Sequence, residues 1–249
     1  MVKIVDFQDK NKLYITDSVK EYLKLQKEGK TVVPEYHYTD KNESTLSDYD
    51  IDGMSWPHSE YIVTLPEETP INDLYRIYQR LNNIPWTILE TEHLIVRETT
   101  IEDVDVFYEI YSDASITENM DPLFDNIEDE KLYTRNYIKD IYRFYGYGIW
   151  TVIYKNSNTI IGRAGITMID GYEYPELGFV TSVDYQRQGL TYEVTRAILD
   201  YAKKELGFPT IQARVKPNNT KSINLLKKLE FNIPHTPYQG YLIALRTFS

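Results

Sequence analysis

The chain has 249 residues, a hydrophobic share of 42% and a formal net charge of −11. This length favours two folded units, and the apolar share is enough for real cores. The absence of cysteine excludes disulfides, thiolate nucleophiles and cysteine-based metal sites.

The charge and hydropathy of the chain bear on its partners. A net negative charge disfavours nucleic-acid backbones. It suits cationic substrates through electrostatic steering, or it serves solubility alone. No apolar run approaches the length of a membrane span, and the first residues lack a signal-peptide pattern. We therefore expect a cytoplasmic protein with neither membrane nor nucleic-acid partners.

Residues 1–88 carry the pattern of a small α/β domain. Ser18 and Glu21 form a capping box for a helix that ends at Gly29, and Thr69 caps a later helix with Pro70 at its first position. Strands are predicted over residues 12–16, 31–36 and 60–65. A strand–helix–strand order predicts a parallel sheet. This part resembles no known family. An alternative function of the protein is that this part serves as a partner-binding surface.

Two further features concern metals and domain division. Residues 48–53, DYDIDG, open like an EF-hand calcium loop, but the closing Glu is missing, which favours a solvated acidic loop. The four histidines are not spaced as metal-ligand pairs, so no metal site is predicted. Residues 82–86 are the predicted linker, which gives domains over 1–88 and 89–249.

The second part begins with a predicted strand over residues 94–98. Thr100 and Asp103 then resemble a capping box for a helix through Tyr111. A second helical pattern covers about 129–145, with a stripe of Tyr133, Tyr137, Ile141 and Tyr145. Strands follow over about 147–154 and 159–169, and again from Glu176.

The turn over residues 186–191, QRQGLT, leads from this last strand directly into a helix. Gly189 removes the side chain where backbone and a ligand would come close. Helical periodicity runs from Leu190 to Leu206, and Gly207 is a stop signal. Because the first N–H groups of a helix lack partners and its dipole is positive there, such a turn holds a pyrophosphate.

The next segment adds a second motif. Residues 211–215 alternate like a strand that Pro217 ends, and Asn219 stands at an N-cap position with Ser222 three residues later. A short apolar-faced helix follows, and residues 241–248 read as a last strand.

These two motifs, in this order and at this separation, resemble the acyl-CoA-binding core of the GNAT N-acetyltransferases, nearest to the ribosomal-protein N-terminal acetyltransferase branch. The resemblance covers about residues 90–249. It implies an α/β protein whose C-terminal part has the GNAT acyl-CoA N-acyltransferase fold, a mixed, splayed sheet flanked by helices. The cosubstrate implied is acetyl-CoA, and the contact residues implied are Phe179, Thr181, Gln186, Arg187, Gln188, Gly189, Leu190, Thr191, Asn219 and Ser222.

Three positions depart from the family pattern. Thr191 replaces a Gly or Ala and would donate its hydroxyl to a phosphate or crowd the site. Glu230 replaces the Gly that usually precedes the final Phe. Leu226 falls where one branch carries a Tyr acting as general acid.

The resemblance implies direct transfer of acetyl from acetyl-CoA to a primary amine, on a small molecule or a peptide. Glu176, at the start of the fourth core strand, is the predicted catalytic base, and its alternative is an edge-strand Glu facing solvent. Glu193 is interpreted as structural. Because of Leu226 and Thr191, the alternative function is a regulatory module that holds acyl-CoA without turnover.

Overall fold

A computed structural model describes residues 2–36, 63–64 and 66–248. The chain divides into two compact units, Met1–Trp86 and Thr87–Ser249. The division lies two residues before the predicted boundary, because the strand Thr87–Glu90 is hydrogen-bonded within the second sheet. That each unit folds independently stays a prediction. The motif over 48–53 and the strand positions 60–62 lie outside the described residues.

The first unit has a sheet in the order β1-β2-β3-β4 among its described residues. The strands β2–β3 and β3–β4 are parallel, as the sequence predicts, whereas the unpredicted β1 runs antiparallel to β2. The elements are β1 (Val2–Asp6), β2 (Lys12–Thr16), α1 (Val19–Lys27), β3 (Val32–Tyr36), β4 (Val63–Thr64) and α2 (Ile71–Leu81).

The helix ends of this unit follow local chemistry. The Ser18 hydroxyl accepts from the Glu21 N–H at 3.4 Å at the start of α1, and Gly29 takes a left-handed φ of +68° just after its end. Thr69, however, is not the cap of α2. The cap is Pro70, whose carbonyl accepts from the Asp73 N–H at 2.9 Å, so α2 starts one residue later than predicted.

The second unit, described over residues 87–248, is built on a seven-stranded mixed sheet in the order β11-β10-β9-β8-β7-β6-β5. Its strands are β5 (Thr87–Glu90), β6 (Leu94–Arg97), β7 (Ile149–Tyr154), β8 (Thr159–Thr167), β9 (Glu176–Thr181), β10 (Thr210–Val215) and β11 (Leu242–Thr247). Neighbouring strands are antiparallel except β9 and β10, which are parallel.

Helices flank both faces of this sheet. They are α3 (Asp103–Tyr111), α4 (Ala114–Thr117), α5 (Ile127–Tyr137), α6 (Arg143–Tyr145), α7 (Leu190–Lys204) and α8 (Thr220–Lys228). The apolar stripes of α7 and α8 bury Ile198 and Leu226 in the main core, together with Ile211 of β10. On the other face, Ile116 of α4 packs with Val180 of β9.

The long helix predicted over about 129–145 is interrupted. Residues Ile138–Tyr142 form a π-helical turn between α5 and α6. A π turn holds one more residue than an α turn, which shifts the inward-facing position. Tyr142 is therefore buried at 1% exposure, whereas Tyr145 of the predicted stripe is 49% exposed. The predicted stripe is wrong in this part.

Candidate active site

The sheet opens between β9 and β10. Their parallel ladder pairs only Gln212 with Glu176, and the Gln212 N–H donates to the Pro175 carbonyl at 2.8 Å. Beyond this pair the strands diverge. Because backbone groups alternate along a strand, those of Phe179 and Thr181 point to the same side as that ladder, towards the opening.

A cleft of about 960 Å³ occupies the opening. Most of the residues that the resemblance implies line it, namely Glu176, Phe179, Thr181, Gln186, Arg187, Gly189, Thr191, Asn219 and Ser222. Gln188 and Leu190 do not. The Gln188 amide donates to the Asp184 carbonyl at 2.9 Å, and the Leu190 side chain is buried in the core.

The turn before α7 takes the shape that the sequence suggests. Gly189 has a φ of +85° and Arg187 a φ of +61°. Both values are left-handed, a conformation that glycine adopts without steric cost. The Gln186 side-chain amide donates to the Thr181 carbonyl at 3.0 Å and so ties the turn to β9. The first intrahelical bond is donated by the Glu193 N–H to the Gly189 carbonyl, so the preceding N–H groups of α7 have no intrahelical partner.

The three departures from the family pattern each have a structural account. The Thr191 hydroxyl lies 2.9 Å from that of Thr181, so the two side chains share a hydrogen bond at the cleft wall. Glu230 takes a left-handed φ of +63°, the conformation that a glycine would adopt freely. Leu226 is buried at 1% exposure and lines the cleft, where it offers no proton.

Asn219 is the cap of α8. Its side-chain oxygen accepts from the Ser222 N–H at 3.1 Å, which is the contact that the Asn-x-x-Ser spacing predicts. The same cap places both residues at the cleft wall.

Glu176 is not the solvent-facing edge residue that the sequence leaves open as an alternative. It is 9% exposed, and both of its carboxylate oxygens accept from Arg214, from Nε at 2.5 Å and from Nη2 at 3.2 Å. Gln212 adds a longer contact at 3.4 Å. The hydrogen bond to Glu176 raises the pKa of Arg214, so its charge is secure.

Glu193 faces away from this chemistry. Its carboxylate accepts from the His93 N–H at 2.9 Å and lies 2.9 Å from His93 Nδ1, which joins α7 to the turn between β5 and β6. Burial alone would raise the pKa of Glu193, but hydrogen bonds from Thr91 and His93 lower it overall. The contacts agree with a structural interpretation.

The sequence alone missed part of the cleft wall. Residues 115–116 and 118–121, in and after α4, line it, and the Lys216 ammonium donates to the Glu118 carbonyl at 2.8 Å. Arg214 and Tyr241 complete the end near Glu176. The available signal was the run of cations over residues 214–228 in an acidic protein. Four of them line the cleft, namely Arg214, Lys216, Lys221 and Lys228.

Within the described residues, no group of three or more His, Cys, Asp or Glu could hold a metal ion. Over the same residues, no helix has both the length and the apolarity needed to cross a membrane.

Comparisons with known proteins concern the family and the fold. Residues 93–232 match the family described as acetyltransferase (GNAT) domain. The chain is 30% identical over 146 residues to the uncharacterized N-acetyltransferase p20 of Bacillus licheniformis, across 57% of this chain and 81% of that protein.

Solved structures share the fold. An acetyltransferase from Agrobacterium tumefaciens C58 superimposes with a TM-score of 0.56 at 20% identity, over 64% of this chain and 94% of that one. RimL, a ribosomal L7/L12 alpha-N-protein acetyltransferase solved in complex with coenzyme A, gives 0.54 at 13% identity, over 65% and 98%. The chain is therefore an acyltransferase that belongs to the acetyltransferase (GNAT) family.

Proposed function

We propose that the protein binds acetyl-CoA in the β9–β10 cleft and transfers the acetyl group directly to a primary amine. The observation that carries this proposal is the meeting of two features in one cleft. Backbone groups of β9 face the cleft beyond the one position at which β9 pairs with β10, and Gly189 and Thr191 at the N-terminus of α7 line the same cleft. The coenzyme A complex of RimL supports the same ligand class.

The residues present fit acetyl-CoA. A Cβ added at Gly189 would meet no atom within 4 Å, so the space in front of the α7 N-terminus is open. Its unpartnered N–H groups suit a pyrophosphate. Arg187 and Lys221 add positive charge to the same cleft, which complements the phosphates. The backbone groups of Phe179 and the Thr181 N–H are oriented to pair with an extended amide-bearing arm, whereas the Thr181 carbonyl already accepts from Gln186.

Acetyl transfer to an amine requires few chemical steps of the protein's own residues. When bound, acetyl-CoA supplies an activated acetyl thioester. The amine nitrogen forms a bond to the acetyl carbon, the carbon–sulfur bond breaks, and one proton passes from nitrogen to sulfur overall. An ammonium must first lose a proton, and Glu176 is the carboxylate that we assign to this step.

Protonation of the sulfur needs a group other than Leu226, whose side chain has no dissociable proton. Two cleft-lining tyrosines, Tyr192 and Tyr241, carry hydroxyls that can serve as the donor. The rival function, a regulatory module that holds acyl-CoA without turnover, is based on Leu226 and Thr191. Thiol release during incubation with acetyl-CoA and a panel of amines separates the two functions.

Binding is tested by isothermal calorimetry with acetyl-CoA on a Gly189→Glu variant. The added carboxylate faces the proposed pyrophosphate position, and we expect an affinity loss of about a hundredfold or more. Gly207→Glu is the matched control. Gly207 also has a left-handed φ, +69°, and an open environment, but it lies beyond the other end of α7.

The control variant should bind like the unaltered protein, because Gly207 lies outside the cleft. It carries the same backbone strain and the same added charge as Gly189→Glu, so it shows whether these alone affect binding. Unchanged affinity in a folded Gly189→Glu variant would remove the assignment of the cleft.

A further inference from the structure

The ion pair between Glu176 and Arg214 lies on one particular face of the sheet. Along β10, Ile211, Ala213 and Val215 are buried in the core that α7 and α8 cover. Because side chains alternate along a strand, Arg214 extends to the opposite face, where α4 packs on β9. The pair therefore bridges the two diverging strands on the face opposite α7.

This pair is held in place. Its side chains are only 27% and 12% exposed, for Arg214 and Glu176 respectively. The guanidinium carbon lies 5.1 Å from the ring centre of Tyr172 and 5.5 Å from that of Tyr241, so aromatic rings flank it. Both charged residues and Tyr241 line the cleft. The cleft end thus presents a fixed cation and a fixed anion side by side.

Such an arrangement matches one class of amine. A diamine or polyamine would meet the positive Arg214 beside the carboxylate that it needs, which is unfavourable. A peptide N-terminus carries an uncharged amide next to its amine, whose carbonyl can accept from Arg214 but brings no negative charge to replace that of Glu176. A free amino acid carries both charges, and its carboxylate can take the guanidinium while its ammonium takes the carboxylate.

We propose that the acceptor is a free α-amino acid, bound through its carboxylate to Arg214 and through its ammonium to Glu176. The proposal rests on the proposed acetyl transfer. Exchange of partners at Arg214 frees an oxygen of Glu176, which accepts one proton from the ammonium and leaves the neutral amine that attacks the thioester. The products are the N-acetyl amino acid and the free thiol, which takes up the last proton.

The test uses the full-length protein with acetyl-CoA, the twenty L-amino acids, their carboxamides and the corresponding decarboxylated amines. Thiol release is measured for turnover. Calorimetry with coenzyme A-loaded protein measures acceptor binding without turnover. We expect one or more free amino acids to have a kcat/KM and an affinity about tenfold or more above those of their carboxamides and amines. A difference of this size corresponds to the loss of one charged hydrogen bond.

Three variants assign this preference to a residue. Arg214→Gln keeps a hydrogen-bond donor but removes the charge, so the preference for a carboxylate should fall to about threefold or less. Arg214→Lys keeps the charge and should retain part of the preference for a carboxylate. Arg246→Gln is the matched control, because Arg246 also pairs with a glutamate, Glu230 at 3.1 Å, outside the cleft. It should keep the full preference.

The outcomes are distinct for the two proposals. Amino acids that bind with a carboxylate preference but release no thiol would support the amino-acid site at Arg214 and Glu176 but overturn the role of the amino acid as acetyl acceptor. Turnover of carboxamides or amines at equal rates would support transfer and overturn the inference. The inference also fails if no free amino acid binds, or if Arg214→Gln keeps the preference.

Discussion

Glu176 combines a proposed catalytic step with a structural contact. Both of its oxygens accept from Arg214, so an acceptor proton can be taken only when that contact loosens or a water molecule relays it. The position of Glu176 in the cleft follows from the strand pattern of β9. Its partner does not, because an ion pair between two strands depends on their register, which no local sequence pattern gives.

Replacing Glu176 with Gln tests its role as base. The amide keeps the shape of the side chain but cannot take a proton, so we expect kcat to fall by roughly a hundredfold with acetyl-CoA affinity nearly unchanged. Steady-state thiol release at saturating acceptor is the measurement. Glu193→Gln is a suitable control, since Glu193 is also a hydrogen-bonded carboxylate but serves the His93 turn.

A fall of less than about threefold in kcat for Glu176→Gln would assign the proton transfer to another group or to solvent. An equal fall in Glu193→Gln would indicate that general loss of carboxylate contacts, rather than base catalysis, explains the effect.

At the level of elements, local signals predicted most helix starts and stops. Ser18 and Asn219 stand at N-cap positions, and Gly207 takes a left-handed φ two residues after Glu205, the C-cap of α7. The π turn after α5 was not predictable. It changes which residues face inward by one position, but it leaves no trace in the polar and apolar composition of the segment. The strand β5 was missed because its four residues are too few to show a clear alternation.

Asp103 joins three elements of the second unit. It accepts two hydrogen bonds from Arg97 of β6 at 2.6 and 2.7 Å, one from the Thr151 hydroxyl of β7 at 2.7 Å, and one from the Thr100 N–H before α3 at 2.9 Å. Burial alone would raise the pKa of Asp103, but these donors lower it overall.

A lowered folded-state pKa gives a stabilisation that is present above the unfolded pKa of about 3.9 and is lost as the pH falls through the lower folded value. We therefore expect Asp103→Asn to lower the free energy of unfolding by roughly 1.5–3 kcal/mol at pH 7. This difference should shrink in acid below about pH 4. Urea unfolding of both proteins across that pH range measures it, and a difference that stays constant into acid would contradict the linkage.

For the whole molecule, the sequence was most informative where two motifs of defined local geometry occur at a defined separation along the chain. The turn at Gly189 and the cap at Asn219 identified the second unit and most of its cleft. The cleft end near Glu176 could not be predicted, because Arg214 and Tyr241 come together only through strand order. For the first unit, the sheet direction followed from the strand–helix–strand order, whereas its function has no comparable motif.

The division of the chain can be tested by a fragment that begins at Thr87. Trp86 belongs to the first unit, since its indole N–H donates to the Arg76 carbonyl at 3.2 Å and its ring lies 3.8 Å from the Arg80 guanidinium carbon. β5 belongs to the second, where Leu89 pairs with Val96. We expect the 87–249 fragment to unfold cooperatively and to bind acetyl-CoA with the affinity of the full chain, as measured by urea denaturation and calorimetry.

A fragment that begins at Thr91 is the matched comparison. It removes β5, exposes the edge of β6 and uncovers the apolar contacts of Ile88 and Leu89 with the core. It should therefore be less stable than the longer fragment by about 2 kcal/mol or more. Equal stability of the two fragments would show that β5 contributes nothing to the second unit. A 87–249 fragment that fails to fold would show that the second unit depends on the first.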